Sequence, residues 1–111
     1  MITRLWSGWT DPQDSRAYED LLTSIIAPEI VGRGVPGLRG LDVLRRDASE
    51  LDPSRGGEFL TVMSFDDWQA VRAFTGGEAS VSVVPPAARA LLRRFDEHSR
   101  HYVRLARFAP P

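Results

Sequence analysis

The chain contains two histidines, His98 and His101, which lie three residues apart with Asp96 and Glu97 directly before them. Imidazole titrates closest to neutral pH, so these residues are the first candidates for proton transfer. Three interpretations are open. The pair could bind a metal with a carboxylate, a histidine could stabilise a helix C-terminus, or His101 could be a general base that deprotonates a phenol or quinol. The metal interpretation lacks a third clear ligand, and we predict no metal site.

A general base does not complete such a site alone, because the oxyanion that it creates needs a hydrogen-bond donor and a dry cavity. Tyr18, Ser7 and Ser64 carry hydroxyl groups that could donate to that oxygen. We expect these three residues, together with Trp9 and His98, to contact a small-molecule ligand.

Missing residue types exclude several mechanisms, because the chain has no cysteine, no lysine and no asparagine. Without cysteine it has no thiolate nucleophile, disulfide or iron-sulfur ligand. Without lysine it has no Schiff base and no anchor for pyridoxal phosphate. We therefore predict a protein without a bound cofactor.

The charge balance gives no general attraction to nucleic acid or to an anionic membrane, because the formal net charge is -1. Four arginines near the third predicted helix, Arg89, Arg93, Arg94 and Arg100, are interpreted as a solvated face and not as a nucleic-acid stripe. No apolar run approaches the length of a membrane span, and the first residues lead directly into a strand and not into a signal peptide. We expect neither nucleic acid nor membrane as a partner, and a cytoplasmic location.

Residues 32–37 match the glycine spacing of a dinucleotide-binding loop, but that loop needs a strand before it and a helix after it. Here a helix precedes the glycines, Pro36 lies among them, and a strand follows. We interpret the segment as a helix stop followed by a turn, which excludes nucleotide binding there.

Alternating and helical apolar patterns predict the elements that would position these side chains within one domain, residues 1–111. Strands are predicted at residues 2–9, 38–46 and 58–65, and helices at 14–30 and 66–74, with Pro28 bending the last turn of the first helix. Residues 47–57 are predicted to form an exposed loop, and residues 79–84 to be extended or loosely helical. A third helix is predicted from Pro85 and Pro86 to about residue 100, and a last strand at residues 101–108.

This order of elements is typical of an α+β, ferredoxin-like antiparallel sheet with helices on one face. The third strand is apolar on both faces, with Phe59 and Met63 on one and Leu60 and Val62 on the other. Since helices cover only one face, a second copy of the sheet is the simplest cover for the other. We therefore predict a homodimer in the form of an α+β barrel, with one of the two strand-one tryptophans in the pocket and the other at the dimer interface.

Four segments resemble the antibiotic biosynthesis monooxygenase-like proteins of the dimeric α+β barrel superfamily. They are Arg-Leu-Trp-Ser-Gly-Trp-Thr at residues 4–10, Ala-Tyr-Glu-Asp-Leu-Leu at 17–22, Phe-Asp-Asp-Trp-Gln-Ala-Val-Arg-Ala-Phe at 65–74, and the stretch from Val-Val-Pro-Pro-Ala-Ala-Arg at 83–89 to His101 and Tyr102. The resemblance implies a dimeric barrel and a cofactor-independent monooxygenase that acts on a small aromatic or quinoid compound.

This chain departs in two respects from the residue patterns of related proteins, and both departures bear on function. Haem-degrading relatives use an asparagine on an early strand and a tryptophan near the end of strand three, whereas this chain has no asparagine and has Ser64 at the second position. In similar proteins a histidine often occupies the position of Ser7, so a two-histidine site with His101 is incomplete here. The alternative to an enzyme is a non-catalytic ligand-binding or assembly protein on the same barrel.

Overall fold

The computed structural model describes residues 1–46, Glu50 and residues 56–111. Within this part of the chain the strands are β1 (Ile2–Trp9), β2 (Leu38–Arg45), β3 (Glu58–Phe65), β4 (Arg94–Phe95) and β5 (Arg100–Val103). The helices are α1 (Ser15–Leu21), α2 (Ala27–Gly32), α3 (Trp68–Thr75) and α4 (Pro86–Arg89). The predicted loop at residues 47–57 lies mostly outside the described residues.

The strands form one antiparallel sheet in the order β2-β3-β1-β4, and β5 pairs with β1 as well. The β1 and β3 strands pair without a bulge from Ile2 opposite Phe65 to Trp9 opposite Glu58. Since this is the order of a ferredoxin-like sheet, the predicted fold class is confirmed. The regular register also means that alternate residues of β1 lie on opposite faces.

One face of the sheet packs against the helices. Buried side chains of β1 and β3 contact α3 in one cluster, which contains Ile2, Met63, Phe65, Val71 and Phe74. A second cluster joins α1 and α4 to the sheet, and it contains Tyr18, Leu22, Ile26, Phe59 and Ala88. All helices that contact these clusters lie on the same side, as predicted.

The opposite face, called the open face below, carries the other set of β1 and β3 residues. Leu5, Leu60 and Val62 lie there and are only partly buried within the chain. Leu44 of β2 is 48% exposed. The open face therefore carries an apolar patch, formed by these four residues, in the isolated chain.

Helix α1 does not continue regularly into α2, because a π-helical segment, Leu22–Ile26, separates them. Pro28 has no N–H to donate to the carbonyl of Ser24. The Ala27 N–H instead donates to the Leu22 carbonyl, five residues earlier. The wider turn accommodates the proline without ending the helical path, so the predicted bend takes the form of a π segment.

Capping residues mark both ends of helix α3. The Asp67 carboxylate accepts a hydrogen bond from the Ala70 N–H at 2.9 Å and so caps the N-terminus. Gly76 follows the helix with a φ of 82°, a left-handed conformation that glycine adopts at low cost. The helix therefore starts two residues later than predicted, because Asp66 and Asp67 form the turn into it.

The prediction of a long third helix is wrong beyond its first turn. Helix α4 ends at Arg89, and residues 94–95 form β4 opposite Gly8 and Trp9. The Arg93 N–H donates to the Trp9 carbonyl at 2.8 Å. Pairing with the free edge of β1 therefore prevails over the helical preference of the local alanines, leucines and arginines.

The predicted last strand is also too long, because β5 ends at Val103 and not at residue 108. Val103 lies opposite Ile2, the first residue of β1. After it, only the hydrogen bond from the Arg104 N–H to the Met1 carbonyl continues the pairing. Leu105 and Phe108, in the terminal segment, are 94% and 92% exposed. Among the described residues, no helix has the length and apolarity needed to cross a membrane.

Candidate functional site

A cavity of about 50 Å³ lies between the sheet and the helical stretch that contains the π segment. Its walls are mainly apolar and include Trp6, Leu22, Ile26, Leu41, Met63 and Ala88. Four polar side chains among the described residues also line it, namely Arg4, Tyr18, Thr61 and Ser99. Apolar walls with a few convergent polar groups are typical of small-molecule sites.

The size of the cavity limits what it holds in this conformation. A water molecule needs roughly 10–15 Å³ of such space, so the cavity has room for a few waters. An aromatic ring requires the lining side chains to move apart. Leu22 and Ile26, which both belong to the π segment, are wall residues that could move, and π segments recur at functional sites.

Arg4 is the charged residue of the cavity, and only 3% of it is exposed to solvent. Its Nη1 donates to the Ala79 carbonyl at 2.5 Å, and its Nη2 donates to the Val81 carbonyl at 3.0 Å. The guanidinium carbon lies 5.5 Å from the centre of the Phe74 ring. Burial lowers the pKa of Arg4 to about 10, so the side chain remains a cation at neutral pH.

His101 lies beside Arg4, with its Nε2 atom 3.0 Å from Nη1 of the guanidinium. Its ring centre is 5.0 Å from that of Trp68, a residue of α3 that is 40% exposed. Burial, followed by the charge of Arg4, lowers the pKa of His101. Arg4 lines the cavity and His101 does not. The contact with Arg4 therefore links His101 to the cavity.

Ser99 lies two residues before His101 and directly precedes β5. Only 6% of the residue is exposed, and its Oγ atom has no hydrogen-bond partner in the described part of the chain. Its backbone N–H is occupied, since it donates to the Ser80 carbonyl at 2.7 Å. Ser99 is therefore held in place while its hydroxyl is free to bond.

Tyr18 is the predicted site residue that the structure places in the cavity wall. It is 1% exposed, and its ring packs edge to face against Phe59 with centres 5.0 Å apart. Burial raises the pKa of Tyr18 well above its ordinary value, so the hydroxyl keeps its proton at any working pH. It can act as a hydrogen-bond donor.

The remaining predicted ligand contacts lie elsewhere. Ser7, Trp9 and Ser64 alternate with the cavity-facing residues of β1 and β3 and therefore lie on the open face. The ring of Trp9 is covered by Arg94, whose guanidinium carbon is 4.0 Å from the ring centre. Trp6 occupies the cavity wall, as expected for one of the two strand-one tryptophans.

His98 is exposed, and its contacts differ from those of His101. Its Nδ1 lies 3.4 Å from the hydroxyl of Ser80, and Val81 forms a short antiparallel bridge opposite it. Within residues 1–46, 50 and 56–111, no group of three His, Cys, Asp or Glu side chains is arranged to hold a metal ion. The structure thus separates the two histidines that the sequence places together.

Sequence reasoning missed two residues of the site, Arg4 and Ser99. A signal for Arg4 exists, because it occurs in the alternating set Ile2, Arg4, Trp6 and Gly8, whose other members suit a buried face. A charged side chain is rarely fully buried unless it is paired, so an arginine on such a face stands out. Ser99 has no comparable signal, because its burial depends on pairing with residues 80–82.

No protein-family model matches the sequence, and no curated protein matches it. Several solved structures, however, match the fold of this chain. A monooxygenase from the gene ActVA-Orf6 of Streptomyces coelicolor, in complex with nanaomycin D, is 16% identical, with 99% of this chain and 92% of that chain covered and a TM-score of 0.61. A Bacillus cereus protein provisionally described as an antibiotic biosynthesis monooxygenase is 14% identical, with 100% of this chain and 97% of that chain covered and a TM-score of 0.65.

A dimeric ferredoxin-like protein from an uncultured marine organism is 12% identical, with 98% of each chain covered and a TM-score of 0.62. Likeness at such low identity shows a shared fold, and a shared fold does not by itself fix the reaction. The resemblance to antibiotic biosynthesis monooxygenase-like proteins is therefore confirmed at the level of the fold.

Proposed function

We propose that this chain is a single domain that forms a homodimer and that each subunit oxidises a small aromatic or quinoid compound with molecular oxygen, without a cofactor. One observation carries the proposal: a mainly apolar cavity has a buried, charged Arg4 on its wall, with His101 in contact behind it. The apolar walls suit an aromatic ring once Leu22 and Ile26 move outward, and the Arg4 cation suits the oxyanion that forms when the substrate is deprotonated.

The reaction needs a base, an anion binder and an enclosed space. His101 takes a proton from an anthrone or quinol after Arg4, which it contacts at the cavity wall, shifts toward the substrate oxygen. The resulting anion has an electron-rich ring that transfers electrons to O₂. For an anthrone, one oxygen atom replaces two hydrogens of the ring methylene and the other leaves as water. For a naphthohydroquinone, one oxygen atom enters as a ring hydroxyl, and the other takes the two hydrogens lost as the quinol becomes a quinone and leaves as water. Both reactions balance. Arg4 and the protonated Tyr18 hydroxyl stabilise the negative oxygen while the substrate is held.

The contact between Arg4 and His101 sets the order of events. The Nε2 lone pair of His101 accepts a hydrogen bond from Arg4. A substrate oxygen that takes this particular N–H in place of His101 releases the lone pair, whereas an oxygen that bonds only to the two unused N–H groups leaves it engaged. The proposed base therefore requires the first arrangement, in which the bound substrate makes His101 available.

The homodimer rests on the open face. Leu5, Leu60 and Val62 form an apolar surface that a second copy of the same sheet would cover. One of the solved structures with the same fold is described as dimeric. Closure of two such sheets produces the proposed α+β barrel and leaves the helix-side cavity in each subunit.

A non-catalytic ligand-binding protein is the second candidate. It is favoured by the position of His101, which does not line the cavity and whose Nε2 is engaged by Arg4. The same apolar walls would bind an aromatic compound without converting it. The two candidates differ only in whether bound substrate consumes oxygen.

Oxygen uptake by the metal-free protein with anthrone and with a naphthohydroquinone separates them. We expect turnover that His101→Ala lowers by about 10² to 10⁴, the usual contribution of a general base, with the dimer intact. His98→Ala is the matched control, because that imidazole lies away from the cavity, and it should retain wild-type turnover. Binding of these compounds without oxygen uptake would support the ligand-binding protein instead.

A further inference from the structure

Arg4 differs from the arginines that form ion pairs in this protein. The ion pairs among the described residues involve Arg16, Arg33, Arg39, Arg45 and Arg46, all of them at the surface. Arg4 is almost fully buried and has no carboxylate partner within the described part of the chain. A buried charge is costly unless it is paired, so the missing anion calls for an explanation.

The neutral partners of Arg4 do not use all of its donors. A guanidinium has five N–H groups. Ala79, Val81 and His101 engage three of them, and described residues engage neither of the other two. Because the side chain also lines the cavity, an anion that enters can form charge-assisted hydrogen bonds with it.

Ser99 supplies an independent second observation. Its hydroxyl is buried, lines the same cavity and has no partner among the described residues. An unsatisfied buried hydroxyl costs free energy, which a ligand oxygen would recover. Both residues are held by the same segment, because Arg4 donates to the Ala79 and Val81 carbonyls and the Ser99 N–H donates to the Ser80 carbonyl, whereas Leu22, Ile26 and Ala27 line the cavity from the helices.

We infer that Arg4 and Ser99 form an anion subsite in the wall of the cavity, which holds one carboxylate or phenolate group of an aromatic ligand whose ring lies against the apolar wall. This inference deepens the proposed function, on which it rests only for the location of the ligand. It names the ligand class as aromatic acids, either carboxylic acids or acidic phenols, and makes Arg4 the residue that selects for the charge.

Binding of inert ligands tests the subsite without any turnover. Titration calorimetry at pH 8 measures the affinity for benzoate and for its neutral counterpart benzamide, which tests for a carboxylate site. The affinities for pentafluorophenolate and for neutral hexafluorobenzene are compared in the same way to test for a phenolate site. We expect the wild type to bind at least one anion about tenfold or more tightly than its neutral counterpart, as charge-assisted hydrogen bonds require. The anion with the larger preference identifies the source of the charge.

Variants assign the preference to the two residues. Arg4→Gln should bind anion and neutral ligand equally. Ser99→Ala should lower the affinity for the anion alone, by about threefold to tenfold for one lost hydrogen bond. Arg100→Gln is the matched control, since this exposed arginine lies on β5 beside His101, and it should keep the wild-type preference.

Two results overturn the inference. One is a wild type that binds each anion no more tightly than its neutral counterpart, and the other is an anion preference that survives in both Arg4→Gln and Ser99→Ala. If Arg4→Gln does not fold, Ser99→Ala and Arg4→Lys decide, because Arg4→Lys should keep a reduced preference for the anion. A clear anion preference in a protein that consumes no oxygen would retain the subsite and remove the proposed enzyme.

Discussion

Nη1 of Arg4 lies 3.0 Å from Nε2 of His101, and because arginine can only donate, the histidine accepts at that nitrogen. The imidazole is therefore neutral and carries its proton on Nδ1. Protonation of Nε2 would place two donors and two positive charges against each other. Burial and the charge of Arg4 both disfavour that state, which is why the pKa of His101 is lowered.

This contact predicts how stability depends on pH. Because the folded-state pKa of His101 lies below the unfolded value, the unfolded chain binds the proton more tightly. The contribution of His101 to stability is fully present above the unfolded pKa of about 6.5 and is lost as the pH falls through the lower folded-state pKa. We expect the melting temperature to fall less between pH 8 and pH 5 in His101→Gln than in the wild type.

The matched control for this pH series is His98→Gln, which replaces the exposed imidazole. Carboxylates such as Asp66, whose pKa is lowered mainly by its hydrogen bond with Arg39, also lose stabilisation in acid, but they do so equally in all three proteins. Identical pH profiles for His101→Gln and the wild type would show that Arg4 does not perturb the histidine.

Tyr18→Phe tests the hydroxyl group of the cavity wall. The ring and its contact with Phe59, 5.0 Å between centres, are retained, so the free energy of unfolding should change by about 1 kcal/mol or less. If the hydroxyl donates to the substrate oxyanion, turnover should fall by about 10². Tyr102→Phe removes a hydroxyl from a residue that is 52% exposed, and it should leave turnover unchanged.

A charge placed on the open face tests the proposed homodimer. Val62 lies between Leu5 and Asp42 in the sheet register, on the face opposite the cavity. A carboxylate buried there against a second sheet has no partner, so Val62→Glu should give a monomer by light scattering at micromolar concentration. Val31→Glu places the same change on α2, where Val31 is 56% exposed, and should remain dimeric. A monomeric wild type would contradict the barrel directly.

Asp67 provides a test of the helix that follows β3. Its carboxylate caps α3 through the Ala70 N–H at 2.9 Å, so Asp67→Ala should lower the free energy of unfolding by about 1 kcal/mol. Asp67→Asn keeps a side-chain oxygen at the cap and should lose only a fraction of that amount. Chemical denaturation measures both. Equal losses in the two variants would assign the effect to charge and not to the cap.

The strands β1 and β3 could be predicted to the residue, because apolar and aromatic side chains fill them and polar or proline-containing turns bound them. The dense alternation of Phe59, Met63 and Phe65 with Leu60 and Val62 also indicated two faces that need burial. Local pattern was sufficient because each strand is regular along its whole length.

The third helix could not be predicted correctly, because its sequence favours a helix. Residues 94–95 form a strand only because they pair with the distant residues Gly8 and Trp9. The interruption between β4 and β5 has a similar origin. After Asp96, whose N–H still donates to the Ser7 carbonyl, residues 97–99 leave β1 and contact residues 80–82. The Ser82 N–H, for example, donates to the Glu97 carbonyl at 3.0 Å. Such pairings of irregular segments have no periodic signal.

The site was predicted in part. Tyr18 lies in the cavity wall, and His101 reaches it through Arg4, whereas Ser7, Trp9 and Ser64 lie on the open face. Serine types alone do not reveal which face a strand residue occupies. The face that packs against the helices decides it, and the apolar pattern does not distinguish the two faces because β3 is apolar on both.

The most direct test of the cavity as the functional site is a crystal structure of the protein with a bound hydroxynaphthoquinone. We expect the ring between the sheet and the π segment, with Leu22 and Ile26 displaced outward and one ligand oxygen within hydrogen-bonding distance of Arg4. A ligand bound on the open face beside Ser7 and Ser64, with the cavity still closed and Arg4 still bonded to His101, would contradict this account.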